Sequence, residues 1–228
     1  MPETRPAHET PGRRSRQFFE RIWRQGDFWK LESSEFEQEK YRRLVELLGR
    51  RSYARVLEIG CGAGAFTELL AGHAERVVAI DVSSTAIGRA RRERAHVANV
   101  EFRTADAMEF ELDGTPSWDL IVLGETIYYL GWLHSFFDVA WLAVRIFDAT
   151  SPGGCFLMAN TMCSSGDYLL RPWVIRTYHD LFRHVGYSVE REETLTGVKE
   201  GVQLETLVSL YRRSDCSPGS DAGTRSVP

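Results

Sequence analysis

The chain has 228 residues, enough for one domain with a sizeable core, and 43% of them are apolar, an ordinary share for a soluble enzyme. Its 28 basic and 32 acidic residues leave a formal charge of −4, which offers no broad attraction for nucleic-acid phosphates. No apolar run approaches the roughly 18–20 residues of a membrane span and no N-terminal segment resembles a signal peptide, so a cytoplasmic protein with a small-molecule partner is expected.

The first 16 residues, Met1 to Arg16, are rich in proline, glycine and charge without periodicity, and read as a disordered tail. A single domain is expected over 17–213, with a helical segment at 17–50. Within it Phe18, Phe19, Ile22 and Trp23 recur at helical spacing, predicting a short amphipathic helix laid on the domain. A second helix starts near Ser34, where Ser34 and Glu37 form a capping-box pattern, and ends at Gly49. Trp29 and Phe36 sit around its start, as core aromatics or as a lid over a ligand.

Val56, Leu57 and Ile59 then form a short apolar run, read as a buried strand, and Gly60-Cys61-Gly62-Ala63-Gly64 follows directly. Phe66, Leu69 and Leu70 return to helical spacing, so the glycines stand where a strand hands over to a helix. Such a junction is a ligand site, because glycine lets a ligand approach the main chain and the helix start presents unpaired N–H groups. Gly60-x-Gly62-x-x-Ala65 satisfies the relaxed dinucleotide fingerprint, and Asp81 lies about 20 residues further on to accept from ribose hydroxyls. An NAD(P)-binding oxidoreductase is therefore one reading. Glu58 stands against it, since a carboxylate inside the strand suits a cationic group better than a pyrophosphate.

Val77 to Ile80 is a second strand closed by Asp81 and Val82, and Ala86 to Ala95 an arginine-rich helix with a solvated face. Val100 to Arg103 is a third strand, leading to Asp106, Ala107 and Met108. Trp118 to Leu123 is the central buried strand, ending at Gly124-Glu125-Thr126-Ile127-Tyr128-Tyr129. A helix from about Leu133 to Phe147 is core material, with His134 at its start as a capping residue or an acid-base group. Ser151 to Gly154 reads as a turn, Cys155 to Ala159 as a fifth strand and Asn160 to Pro172 as a substrate lid. Trp173 to His184 is helical, and Tyr187 to Glu192 and Leu204 to Tyr211 are final strands joined by a turn at Lys199-Glu200-Gly201. From Ser214 to Pro228 a second disordered tail is expected. The alternation argues an α/β, doubly wound, mostly parallel sheet with right-handed crossovers.

Four cysteines without CxxC spacing argue against a disulfide framework, and six scattered histidines offer no metal pattern, so no metal is expected.

The run Val56-Leu57-Glu58-Ile59-Gly60-Cys61-Gly62-Ala63-Gly64, followed in order by Ile80-Asp81, Asp106-Ala107 and Trp118-Asp119-Leu120-Ile121-Val122, resembles the motifs of class I S-adenosylmethionine-dependent methyltransferases. An aromatic-basic pair at Trp29-Lys30 and a Phe36-Glu37-Gln38 box ahead of that core sharpen the resemblance to the NodS-like (nodulation protein S) N-methyltransferases, over about residues 27–160. The resemblance implies S-adenosyl-L-methionine as cofactor and a Rossmann-like sheet of seven strands with a C-terminal antiparallel hairpin. It implies that the glycine turn holds the methionine part, that Asp81 binds the ribose, and that Asp106 accepts from the adenine amino group with Ala107 against the ring. The family methylates a freed amino group on a chito-oligosaccharide.

Ligands of an open α/β sheet lie beyond the carboxyl ends of its strands, so Glu125 and the tyrosines are expected near the transferable methyl. Glu125 there could orient an amine and take its proton, or it could contact only the cofactor or cap the next helix. Tyr128 and His134 are the other catalytic candidates. N-methylation of an amino sugar or similar amine leads. O-methylation of a secondary metabolite and a non-catalytic cofactor-binding protein stand beside it.

Overall fold

The computed structural model describes residues 10–112, 117–163 and 167–214. The expected tail residues 1–9 and 215–228 lie outside these. The chain alternates β1 (Tyr53–Ile59), α3 (Ala65–Ala71), β2 (Ala74–Asp81), α4 (Ser84–Glu93), β3 (Val100–Thr104) and β4 (Trp118–Gly124), preceded by α1 (Pro11–Trp23) and α2 (Glu35–Leu48). It continues through α5 (Ile127–Leu133), α6 (Phe136–Ala149), β5 (Thr150–Met162), α7 (Pro172–His184), β6 (Ser188–Lys199) and β7 (Val202–Arg212). The strands make one seven-stranded sheet in the order β3-β2-β1-β4-β5-β7-β6. β1 to β5 pair in parallel, and β7 runs antiparallel to both β5 and β6. This is the doubly wound sheet with a C-terminal hairpin that the sequence predicts.

The inner strands read as nearly continuous apolar runs because both faces are covered. Leu57, Ile59, Ile121, Leu123, Phe156 and Met158 pack on one face beneath α5, α6 and α7. Val56, Val77, Leu120, Val122 and Leu157 pack on the other, beneath α2 and α3. The chain winds outward in opposite directions from the adjacent pair β1 and β4, which opens a crevice beyond their carboxyl ends. Gly60 leaves β1 and Glu125 leaves β4 at that crevice.

Several boundaries differ from the sequence reading. α1 begins at Pro11, inside the segment expected to be a tail: Thr10 accepts from the Arg13 N–H, and proline at the first turn costs no helical hydrogen bond. Ser34 is the N-cap of α2 by backbone angle but makes no side-chain cap bond, so the expected capping box is absent. Glu37 is drawn into other partners described below. The helix expected from about Leu133 to Phe147 is α6, which starts at Phe136 behind a true capping box at Ser135 and Asp138, and the separate helix α5 precedes it. Ser151 to Gly154 do not end a strand. They form an irregularity inside β5, whose pairing with β4 jumps from Thr150 opposite Trp118 to Cys155 opposite Leu120. The final hairpin is longer than expected and turns on Glu200 and Gly201, at φ of 51° and 78°, the signature of a two-residue type I′ turn.

Candidate active site

A cavity of about 320 Å³ occupies the crevice. That lies at the lower end of the range typical of small-molecule sites. α1 crosses its mouth, contributing Ser15, Phe19 and Trp23, and docks through Glu20, whose carboxylate accepts from the Ser84 and Thr85 hydroxyls at the start of α4 at 2.7 and 2.5 Å. The helical segment thus covers the site, as the expected lid would.

One end of the cavity is formed by the strand-to-helix turns after β1 and β2 and by the turn after β3. Gly60 has φ of 80°, and a Cβ there would come within 2.1 Å of Thr126 Oγ1, so the turn requires glycine at this point. Asp81 accepts from the Gly62 N–H at 3.0 Å and from the Ser83 N–H at 2.8 Å, which ties the second strand end to the glycine turn. Burial raises its carboxyl to about 6, against the lowering effect of those two N–H groups. Asp106 is buried and accepts from the Met108 N–H at 3.0 Å. Val82, Ala105 and Ala107 complete an apolar wall.

The other end is built from charges. Glu125 is one of few non-glycine residues at positive φ, 51°, a backbone state that costs of order 1–3 kcal/mol. Its N–H donates to Ala159 O at 2.8 Å, and its carboxylate accepts four further bonds. Lys40 Nζ at 2.7 Å and Thr161 Oγ1 at 2.8 Å reach one oxygen; Thr161 N at 2.9 Å and Tyr128 OH at 3.1 Å reach the other. Burial opposes the charge of Glu125, but the Lys40 ammonium and the Thr161 bonds outweigh it and hold the carboxyl below its ordinary value. Lys40 is 2% exposed, and its ammonium stays charged because Glu125 and Glu37 overcome the burial penalty. Glu37 in turn accepts from Lys199 Nζ at 2.5 Å. Two lysines and two glutamates therefore form a neutral cluster against the cavity.

Of the residues singled out from sequence, Trp29, Gly60, Gly62, Asp81, Val82, Asp106, Ala107, Glu125 and Tyr128 line this one cavity. Glu58 does not: it is buried behind the turn, accepts from Thr67 Oγ1 at 2.5 Å, and is pushed up to about 7 chiefly by burial. Cys61 turns its thiol to the Gly62 carbonyl, and Gly64 is the left-handed N-cap of α3, packed against Phe102. Phe36 is core, wedged against Gly197 of β6, where a Cβ would come within 2.4 Å of its ring. Met108 packs beside the core, and His134 is the C-cap of α5 and is not among the residues lining the cavity, which is the capping alternative of its sequence reading. Glu125 does not cap α5, whose N-cap is Thr126. Lys40, Glu37, Thr161 and Lys199 escaped the sequence reading as a group because nothing local joins them. A buried lysine on the apolar face of α2 was the one available signal. Among the described residues no group of three or more His, Cys, Asp or Glu side chains could hold a metal, and no helix is long and apolar enough to cross a membrane.

The family model described as Nodulation protein S (NodS) matches residues 12–139. Nodulation protein S of Rhizobium tropici is 40% identical over 106 residues, covering 46% of this chain and 44% of that protein, and the Bradyrhizobium diazoefficiens protein is 39% identical over 115 residues, covering 50% and 54%. The chain thus spans about half the length of these curated relatives. The crystal structure of N-methyltransferase NodS from Bradyrhizobium japonicum WM9 with S-adenosyl-L-homocysteine superposes with a TM-score of 0.73 at 27% identity, covering 87% of this chain and 98% of that one. The [4+2]-cyclase SpnF shares the fold alone, with a TM-score of 0.69 at 15% identity. With more than half of its residues inside the family match, the chain belongs to the nodulation protein S (NodS) family, of the class I S-adenosylmethionine-dependent methyltransferase fold.

Proposed function

We propose that the chain is an S-adenosylmethionine-dependent methyltransferase acting on the nitrogen of an amino sugar or similar small amine. The observation that carries this reading is the pairing, within one cavity, of a cofactor-type end with an acceptor-type end lined by carboxylates. The donor set fits the cofactor. Asp81 retains lone pairs toward a ribose diol, Asp106 stands one strand further out for an exocyclic amine, and Val82, Ala107 and Trp29 offer flat apolar walls.

When bound, the cofactor supplies an electrophilic methyl carbon on a sulfonium that leaves as a thioether. The chain's own task is to exclude water and to bring a nitrogen lone pair into line about 3–3.5 Å from that carbon. Phe19, Trp23 and Trp29 close the mouth, while Tyr128 and Tyr129 present ring faces favourable to a passing cation. As the new C–N bond forms and the S–CH₃ bond breaks, the nitrogen gains positive charge, which the carboxylate-lined wall stabilises, and its proton is lost to solvent afterwards.

Glu125 supports nitrogen over oxygen as the acceptor. A hydroxyl needs a base during attack, and a carboxylate already taking four hydrogen bonds and held below its ordinary pKa is a poor one. An amine needs only to be unprotonated, so Glu125 serves it by orientation and by its field.

Titration with S-adenosylhomocysteine and with NADH tests the cofactor assignment: micromolar binding of the first and none of the second is expected, and the reverse would restore the oxidoreductase. Methyl transfer from labelled cofactor to D-glucosamine, with N-acetyl-D-glucosamine as the blocked control, tests the acceptor class. Labelling of both sugars alike would point to a hydroxyl.

A further inference from the structure

The roles above leave Lys199 without a task. It sits at the tip of the β6–β7 hairpin, 162 residues from Glu37 in sequence, and donates to Glu37 Oε1 at 2.5 Å. Both side chains line the cavity, with 15% and 4% of their surfaces exposed. The tip is tied down once more by the pair Lys30 and Glu200.

Glu37 has one fixed partner and one supplied from the hairpin. Its Oε2 forms an ion pair with Lys40 Nζ at 2.6 Å, which leaves Oε1 to the hairpin lysine. A buried carboxylate on a cavity wall is costly unless charged donors reach both of its oxygens. In this structure the donor to Oε1 is a primary ammonium delivered by a hairpin tip. The hairpin is anchored along β7 but ends in a two-residue turn whose flanking residues Val198 and Val202 are 64% and 49% exposed. Lys199 can therefore swing into water while the strands stay paired.

The charge count constrains what can join this cluster. Lys40 and Lys199 balance Glu37 and Glu125, so a further cation would meet uncompensated repulsion at close range, whereas exchange of one ammonium for another keeps the site neutral. We propose that Glu37 is the docking carboxylate for the acceptor's ammonium group, and that Lys199 is an internal stand-in which holds that place until the acceptor displaces it. The inference rests on the amine reading of the previous section. It assigns acceptor recognition to a carboxylate on α2, distinct from Glu125, and makes the hairpin tip the element that yields to substrate. The amine docks as the ammonium on Glu37 and gives one N–H proton to solvent water before its lone pair attacks, so that the transfer leaves the methylated nitrogen as an ammonium on the same carboxylate.

The test uses the full chain saturated with S-adenosylhomocysteine and titrated with ethylammonium chloride by calorimetry, with acetamide as the uncharged control. Lys199→Ala is expected to bind ethylammonium at least about tenfold more tightly than the unaltered chain, the scale of one charge-assisted hydrogen bond no longer contested. Acetamide binding should not change, and the gain should vanish in the double variant Lys199→Ala with Glu37→Gln. Equal or weaker ethylammonium binding by Lys199→Ala, or a gain that survives the loss of Glu37, overturns the proposal. If the alanine variant does not fold, Lys199→Met keeps the aliphatic stem and carries the same expectation. Failure of S-adenosylhomocysteine to bind the unaltered chain would sink the methyltransferase reading instead, so the two failures are distinguishable.

Discussion

The two ends of the cavity are built in different ways. The cofactor end is local: Gly60, Asp81 and Asp106 each stand at or just past the carboxyl end of a strand, and the parallel sheet brings those ends together by pairing β1, β2 and β3. The acceptor end is assembled from afar. Lys40 meets Glu125 across 85 residues, Thr161 meets Glu125 across 36, and Lys199 meets Glu37 across 162. A site made of backbone turns tolerates little change but depends on few side chains, whereas a site made of buried ion pairs fails when any one partner is lost.

The largest effect is therefore expected at Lys40. Lys40→Met removes the cation between two buried carboxylates and leaves them facing each other. A loss of about 3–5 kcal/mol in denaturant-derived stability is expected, the cost of breaking a buried pair from one side. Part of it should return in the double variant Lys40→Met with Glu125→Gln, which removes the orphaned charge. A single variant as stable as the parent would mean that the cluster is not the cohesive unit its distances describe.

Glu125 comes next. Glu125→Gln should lower methyl transfer by about 10²–10³, in the range found for losing one preorganised electrostatic contact, with S-adenosylhomocysteine affinity unchanged. A carboxyl held below its ordinary pKa by Lys40 stays ionised from neutrality upward, so the deficit should be the same at pH 7 and pH 9. A deficit that shrinks as pH rises would mean that Glu125 removes the proton after all, because a base matters less once more of the amine is free.

The legibility of the chain follows the same division. The glycine turn, the acids at strand ends and the strand order around β1 and β4 follow from short motifs and apolar periodicity, which report on residues close in sequence or paired in register. The functions of Lys40 and Lys199 do not. On α2 Lys40 shares the apolar face with Phe36 and Leu44, but what it pairs with there is decided by where β4 and the β6–β7 hairpin arrive in space. Glu37 was misread for a related reason. Its spacing from Ser34 suits a capping box, but two ammonium groups bind a carboxylate more strongly than one backbone N–H does, and the tertiary partners win. Ser15 and the first turn of α1 were lost in a composition that resembles a tail, although Thr10 and Pro11 carry a helix-start signal.

At the cofactor end a smaller, pH-dependent effect is expected. Asp81→Ala should weaken S-adenosylhomocysteine binding by roughly 1.5–3 kcal/mol, the worth of hydrogen bonds to a charged group. In the proposed site a ribose diol would donate to the ionised form, and burial has raised the carboxyl from 3.8 to about 6, so protonation would compete with the ligand below that value. Affinity should accordingly rise between pH 5 and pH 7 and level off above, and Asp81→Asn should flatten the profile. Calorimetry in a single mixed buffer reads this directly, and an unchanged profile in the asparagine variant would take Asp81 out of the ribose site.

The smallest effect separates a cap by pattern from a cap by geometry. Ser34 and Ser135 both precede a helix and both have an acid three residues on, Glu37 and Asp138. Only Ser135 uses the arrangement: its hydroxyl accepts from the Asp138 N–H at 3.2 Å, and the Asp138 carboxylate accepts from the Ser135 N–H at 3.0 Å. Ser34 makes no side-chain cap bond, and the reciprocal bond is absent because the Glu37 carboxylate is held by Lys40 and Lys199. Ser135→Ala should therefore cost about 1 kcal/mol, the usual value for a lost N-cap, and Ser34→Ala no more than a few tenths. Thermal or urea unfolding of the two variants side by side resolves that difference. Equal losses would mean that the Ser34 hydroxyl caps α2 in solution, through a backbone N–H of the first turn and with the Glu37 carboxylate still on its lysines.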